Sequence, residues 1–240
     1  MDVREILTRY EQGQRNFSQL KLVEAELINL NLQGADFSYS DFRQARLGRT
    51  NFSQNKLIEA DFSEALLWGT DLSEADLSRA LLREADLSGA KLRKACLEAA
   101  NLSKVILNGA NLSQANLSKA ILFEADLQAS PERSTDLEAA NLSYADLSYA
   151  KINGAILVKA NLEKARLCRA NLSLGSRQKA IATDLSEANL QGADLSYADL
   201  SGAILVKANL QGADLTGTIC DRALFEGAIM PDGTQFKSIR

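Results

Sequence analysis

The chain has 240 residues, 46% of them hydrophobic, enough to bury a sizeable core. Lys and Arg (27) are outnumbered by Asp and Glu (31), and a net charge of −4 excludes a strongly basic face for nucleic acid. Histidine is absent, which removes the commonest general acid–base and the commonest metal ligand. The apolar runs are only a few residues long, so no membrane span is expected. The charged start MDVREILTRYEQ lacks the apolar stretch of a secretory signal, and three scattered cysteines, Cys96, Cys168 and Cys220, suit a reducing cytoplasm better than a disulfide framework.

In chain order, the first predicted element is a short helix within residues 1–15. Asp2 is placed to cap it, and Val3, Ile6, Leu7 and Tyr10 fall on one face. That face would cover the edge of whatever follows, an edge that otherwise invites aggregation. From Phe17 to Leu127 a leucine or phenylalanine then stands at every fifth residue. Two residues before this centre comes a small residue, most often alanine (Ala25, Ala35, Ala45, Ala60, Ala75, Ala85). Asp or Asn often lies between them (Asp36, Asp61, Asp76, Asn101, Asn111), so the unit reads A-(D/N)-L-x-x. A helix needs a 3.6-residue period and a strand a period of two. A period of five with two apolar positions suits a chain that turns a corner every five residues, with the centre and the alanine pointing inward. Successive coils would stack at about 4.8 Å, and each buried leucine would contribute roughly 1.5–3 kcal/mol. A lone coil should not fold without its neighbours.

The pattern breaks twice. At 128–135 (QASPERST) the centre would be Glu132, beside Pro131, yet the frame of five is kept at Leu137. At 173–183 (SLGSRQKAIAT) Leu172 and Leu185 are thirteen residues apart, an excess of three if a side lies within the segment and of eight if none does. The string GAILVKANL at 154–162 and 202–210 favours eight, which keeps both copies on one side. Gly, Pro and Ser mark both breaks as loops, natural recognition elements on a rigid scaffold. At the end, within 230–240, Met230, Pro231 and Phe236, with Ile229, are placed to cap the last coil. A C-terminal dimer contact is the less favoured use, so a monomer is expected.

The unit A-(D/N)-L-x-x in this copy number resembles the pentapeptide-repeat family over about residues 16–229. The resemblance implies an all-β fold, a right-handed quadrilateral parallel β-helix forming one domain over 1–240; the four-sided closure comes from the family, not from the period. Twenty-residue spacing then defines one side. Beyond the repeats, VREILTRYEQGQRNF, LLWGTDLSEADLSRALLREADLSGAKL and GAIMPDGTQF are similar to a branch of the family that governs heterocyst differentiation in filamentous cyanobacteria.

The recurring Asp and Asn read as turn residues rather than acid–base pairs or calcium ligands. Glycine mostly takes the second outward position (Gly34, Gly69, Gly89, Gly109), as a small turn residue, and no GK[ST] or GxSxG string occurs. Cys220 is at a centre, where burial is expected, and Cys96 and Cys168 map to different sides, which disfavours a shared metal. No catalytic, cofactor-binding or metal-binding residues are expected, and the chain reads as a non-enzyme. Outward apolar residues carry more information. Leu66, Leu81, Ile106, Ile121 and Ile156 replace Asp/Asn; Trp68 and Phe123 stand where Ser is usual; Tyr39, Tyr144, Tyr149 and Tyr197 take the second outward position. Twenty-residue bookkeeping puts Leu66, Trp68, Ile106 and Tyr149 on one side, together with Arg46 and Arg49. It puts Leu81, Ile121, Phe123 and Tyr144 on the next. Exposed apolar clusters with Trp, Tyr and Arg often mark partner sites, although Ile and Leu also suit a half-exposed strand. Lys91, Arg93 and Lys94 read as solvated surface.

The resemblance implies a protein–protein interaction scaffold that promotes heterocyst formation by binding a protein of the patterning pathway, with neither nucleic acid nor membrane as partner. Two other readings follow from the family or the fold. One is a DNA-mimicking, gyrase-binding protein that protects from quinolones, against which the mild charge and mixed Lys and Arg argue. The other is a passive structural rod.

Overall fold

The computed structural model describes residues 2–174 and 181–237. Helix α1 (Val3–Glu11) opens the chain, and the Asp2 side chain accepts the Glu5 amide hydrogen at 2.8 Å. Ile6 is fully buried, and Val3, Leu7 and Tyr10 pack against the first coil. Tyr10 also donates its hydroxyl hydrogen to the Gln33 carbonyl at 2.9 Å, fastening the helix to the coil it covers. The expected cap and its apolar face are both present.

From Asn16 onward the chain winds a right-handed quadrilateral β-helix. Each of the four sides contributes one parallel bridge per coil, twenty residues apart in the uninterrupted region, as in Asn16–Asp36, Lys21–Asp41, Glu26–Arg46 and Asn31–Asn51. These four series name the first to fourth sides. The centre amide donates to the carbonyl of the bridge residue one coil on (Phe17 to Asp36, 2.7 Å), and the corner amide donates likewise (Gln19 to Ser38, 2.9 Å). No side is long enough for an extended strand, so the sheet character lies in the stacking rather than along the chain.

Within one unit, the carboxylate or amide oxygen of the Asp/Asn accepts the amide hydrogen two residues on (Ser38 to Asp36, Ser63 to Asp61, both 2.9 Å). The centre carbonyl closes a turn by accepting the amide three residues on (Ala45 to Phe42, 3.0 Å). The second outward residue of that turn is left-handed almost throughout, whether it is Glu24 (φ 57), Arg49 (58), Lys104 (58) or Tyr149 (60). Such residues cost about 1–2 kcal/mol each, which the stacked ladder and buried centres offset. The core is a column of leucines with alanine between, filled near the start by Phe17 stacked on Phe37 (5.3 Å) and Phe42 on Phe62 (4.8 Å).

Both interruptions leave the chain after a third-side centre. Asp126 is on the third side and Asp136 on the fourth, so 128–135 adds one pentapeptide that forms no side. Asn171 is on the third side and Asp184 on the fourth, thirteen residues apart instead of five, so the second excursion has eight extra residues; 175–180 lie outside the described residues. Ile156 and Ile204 are on the same side, as the duplicated string suggested.

The chain end differs from expectation. Residues 229–236 form a hairpin, with an antiparallel bridge Ile229–Gln235, and Phe236 packs on Phe225 at 5.8 Å. Among the described residues it covers the last coil along the fourth and first sides. Leu215 and Cys220, on the second and third, stay half-exposed, so Cys220 is not fully buried as its centre position implied. Partial burial still pushes its thiol pKa up.

Candidate functional site

The extra pentapeptide at 128–135 moves every later residue on by one side, and this corrects two placements. Tyr149 is not on the Trp68 side; it follows Asp146 on the second side, the side of Leu81, Ile121 and Phe123. Tyr144 is not on that side; it follows Asn141 on the first. Arg46, Arg49, Leu66, Trp68 and Ile106 share the third side as read from the sequence.

On the third side, Trp68 is half-buried rather than free. Its indole occupies the space above Gly48, where any Cβ would collide with the ring, and the Arg49 guanidinium lies 4.9 Å from the ring centroid. Arg46 is paired with Glu26 at 3.4 Å. The third-side corner continues through Gly69, Gly89 and Gly109. At equivalent corners Glu, Lys, Arg and Tyr adopt the same left-handed backbone, so conformation alone does not select glycine here. Space does: the first loop is laid along this corner. A Cβ on Gly109 would come within 2.7 Å of Ser130 Oγ, and one on Gly89 within 3.0 Å of an Arg133 guanidinium nitrogen. Further along, Leu174 of the second loop covers Gly202 in the same manner.

The loops interrupt the coil-to-coil ladder, and one residue repairs each break. The Gly109 amide donates to Thr135 Oγ1 at 2.9 Å, and that hydroxyl reaches the carbonyl of Gln128 at 2.9 Å. The Gly154 amide donates to Thr183 Oγ1 at 3.0 Å, and that hydroxyl donates to the Ile152 carbonyl at 3.2 Å. Both threonines occupy the small-residue position and are buried, so the loops are anchored at their return ends.

The second side carries the larger apolar exposure. Leu81 and Ile121 are exposed there. At its outgoing corner Phe123 meets Tyr149 edge-on at 5.6 Å, and the Arg169 guanidinium lies 5.8 Å from the Tyr149 ring and 5.5 Å from the Tyr197 ring. At the incoming corner Lys164 lies over Tyr144 at 5.3 Å and donates to its hydroxyl at 3.2 Å. This bond, first among the causes, raises the Lys164 pKa. Arg169 makes no ion pair among the described residues, whereas Arg166 beside it is 3.7 Å from Asp146. Sequence reading missed Arg169 and did not align Tyr197 with Tyr149. The signal was available, because the duplication offset that relates the GAILVKANL copies also relates these two tyrosines. No constellation of His, Cys, Asp and Glu suited to a metal occurs among the described residues, and Cys96 and Cys168 lie on different sides. No helix among the described residues is long and apolar enough to cross a membrane.

A four-sided solenoid of five-residue units with loops laid on one corner defines a repeat scaffold. The sequence profile described as pentapeptide repeats matches residues 16–54, 60–98, 95–130, 135–173 and 183–219, and the chain belongs to the pentapeptide-repeat family. The chain is similar to HetL, a pentapeptide-repeat protein involved in heterocyst differentiation regulation from the cyanobacterium Nostoc sp. strain PCC 7120. Identity to its crystal structure is 59%, covering 98% of this chain and 100% of that one, with a TM-score of 0.97. A trypsin-treated variant of QnrB1, a plasmid-mediated fluoroquinolone resistance protein, is 16% identical over 88% of this chain and 89% of that one, with a TM-score of 0.28. No curated protein sequence matches.

Proposed function

We propose that this protein is a non-enzymatic, cytoplasmic regulator that promotes heterocyst differentiation by binding another protein of the patterning pathway. The observation that carries this reading is the end-to-end similarity to HetL. It extends over the capping helix and the C-terminal hairpin as well as the repeats, and the repeats alone would suit any family member. The outward residues support binding as the mode of action. Leu66, Leu81, Ile106, Ile121, Trp68 and Phe123 place apolar groups where the repeat usually carries Asp, Asn or Ser, and Tyr144 and Arg49 add an aromatic and a cation at neighbouring corners. A net charge of −4, with Lys and Arg on several sides, argues against the gyrase-binding reading, which needs a strongly negative surface. A monomer is favoured over a C-terminal dimer, since the hairpin occupies the fourth- and first-side part of the last coil's edge.

The test is genetic. Overexpression in a heterocyst-forming filamentous cyanobacterium is expected to raise heterocyst frequency, and inactivation to lower it or alter spacing. Unchanged frequency and spacing in both strains would remove the proposal.

A further inference from the structure

The corner positions that leave the second side share one backbone conformation but not one chemistry. In the N-terminal coils they are Glu24, Gln44, Glu64, Glu84, Lys104 and Glu124; then, in consecutive coils, Tyr149, Arg169 and Tyr197. Every one of these residues has φ near +60°. Since Glu satisfies the corner as well as Tyr does, the fold does not ask for the aromatic run, and a bulky side chain is a poor choice for a left-handed residue. The run is also ordered. From Phe123 through Tyr149 and Arg169 to Tyr197, four successive coils stack aromatic and guanidinium groups over about 14 Å at the usual 4.8 Å rise. Beyond it Gly217 makes room for the Tyr197 ring, because a Cβ there would come within 2.7 Å of Cδ1. Tyr149 and Tyr197 are 47% and 58% exposed, so the stack faces water. The neighbouring corner carries its own cation on tyrosine, Lys164 on Tyr144, one side away.

Resting on the protein-binding reading above, we propose that this stripe is the docking surface, and that its occupant is an extended acidic segment of a partner protein. The segment would lie along the corner, with its apolar groups against Phe123, Tyr149 and Tyr197 and a carboxylate on the Arg169 guanidinium. Charge complementarity identifies the occupant. Arg166, Lys104 and Lys164 each have an acidic neighbour within the chain, at Asp146, Glu124 and Glu163 respectively, whereas Arg169, held between two rings, has none among the described residues. A guanidinium stacked on aromatic faces keeps its edge donors for a planar carboxylate. Single-stranded nucleic acid also stacks on aromatic and arginine platforms, but a strand carries a phosphate at every step and needs a run of cations, whereas along this stripe Arg169 is the one cation without an acidic neighbour among the described residues, enough for a single carboxylate.

The test uses the full-length protein and a random dodecamer peptide library displayed on phage. Selection is expected to enrich Asp- or Glu-bearing peptides. A synthetic peptide from that pool should lose about tenfold or more in affinity for Arg169→Glu and for Tyr149→Ser, and only a few-fold for Arg169→Lys. Glu64→Ser, an equivalent corner in the N-terminal coils, should bind as wild type. All these side chains are exposed, and unchanged circular dichroism and Tm verify that the variants are folded. Enrichment of basic or uncharged peptides, indifference to Arg169→Glu, no enrichment at all, or tighter binding of oligo-dT than of any selected peptide would each overturn the proposal. Failure here with a normal heterocyst response to the wild-type protein would reject the stripe and leave the regulatory reading standing.

Discussion

At the scale of single residues, the recurring Asp and Asn do what their position suggested: each side chain holds the amide two residues on, which leaves little reason to look for catalysis among them. What the sequence concealed is that the second outward residue is left-handed, because the side chains there, Glu, Lys, Arg and Tyr, do not advertise it as a run of glycines would. The buried threonines were concealed for a related reason, since Thr135 looks like one more loop residue until its hydroxyl is seen repairing the ladder. Thr135→Val is therefore expected to leave the Gly109 amide unsatisfied and to cost about 1–3 kcal/mol, with Thr135→Ser recovering most of it in denaturant unfolding. Equal stability of the two variants would contradict the relay. The acid side of the stability curve offers a second residue-scale prediction. Arg43 donates to both oxygens of Asp41 (2.8 and 2.7 Å), and this hydrogen bonding, the foremost cause, holds the Asp41 pKa below its ordinary value. A folded pKa below the unfolded one contributes stability above about pH 4 that is lost as pH falls through the lowered value. The Tm of Arg43→Ala should lie slightly below wild type at pH 7, since the pair is exposed, and the gap should close in acid; a gap that widens in acid would count against it.

At the scale of elements, helix α1 was legible because capping and a 3.6-residue apolar face are local signals. Ile6→Ala should cost about 2–5 kcal/mol and, by loosening the lid on the first coil, promote aggregation measurable by light scattering. Retention of a monodisperse, equally stable protein would show that the helix is not a lid. The loops were legible as interruptions but not as side counts. Five extra residues preserve the frame of five while moving the chain on by one side, so frame-keeping concealed the shift and sent Tyr144 and Tyr149 to the wrong places. The thirteen-residue gap breaks the frame and leaves two counts open, three or eight; the repeated GAILVKANL string favours eight, which is the count the bridges show. The glycines beneath the first loop make its seat testable. Gly109→Ala puts a Cβ against Ser130 and should displace the loop, raising the rate of proteolytic nicking within 128–135 while leaving circular dichroism intact. An unchanged nicking rate would mean that the loop does not depend on that space.

At the scale of the whole molecule, contacts run between neighbouring coils, so stability is close to a sum of coil and interface terms. The period of five is thereby exhausted in making a tube, and function falls to positions where the tube permits freedom. On the second side those positions change from mostly Glu to an unbroken aromatic and cationic run midway along the rod, with no structural need for the change. The central claim is that this departure, not the repeat, gives the protein its work. The most direct measurement is heterocyst frequency in a filamentous cyanobacterium overexpressing either the wild-type chain or a variant with Tyr149, Arg169 and Tyr197 all changed to Glu, the residue of the equivalent N-terminal corners. The account predicts a variant of unchanged fold and accumulation that no longer raises heterocyst frequency. A variant as active as wild type would contradict it.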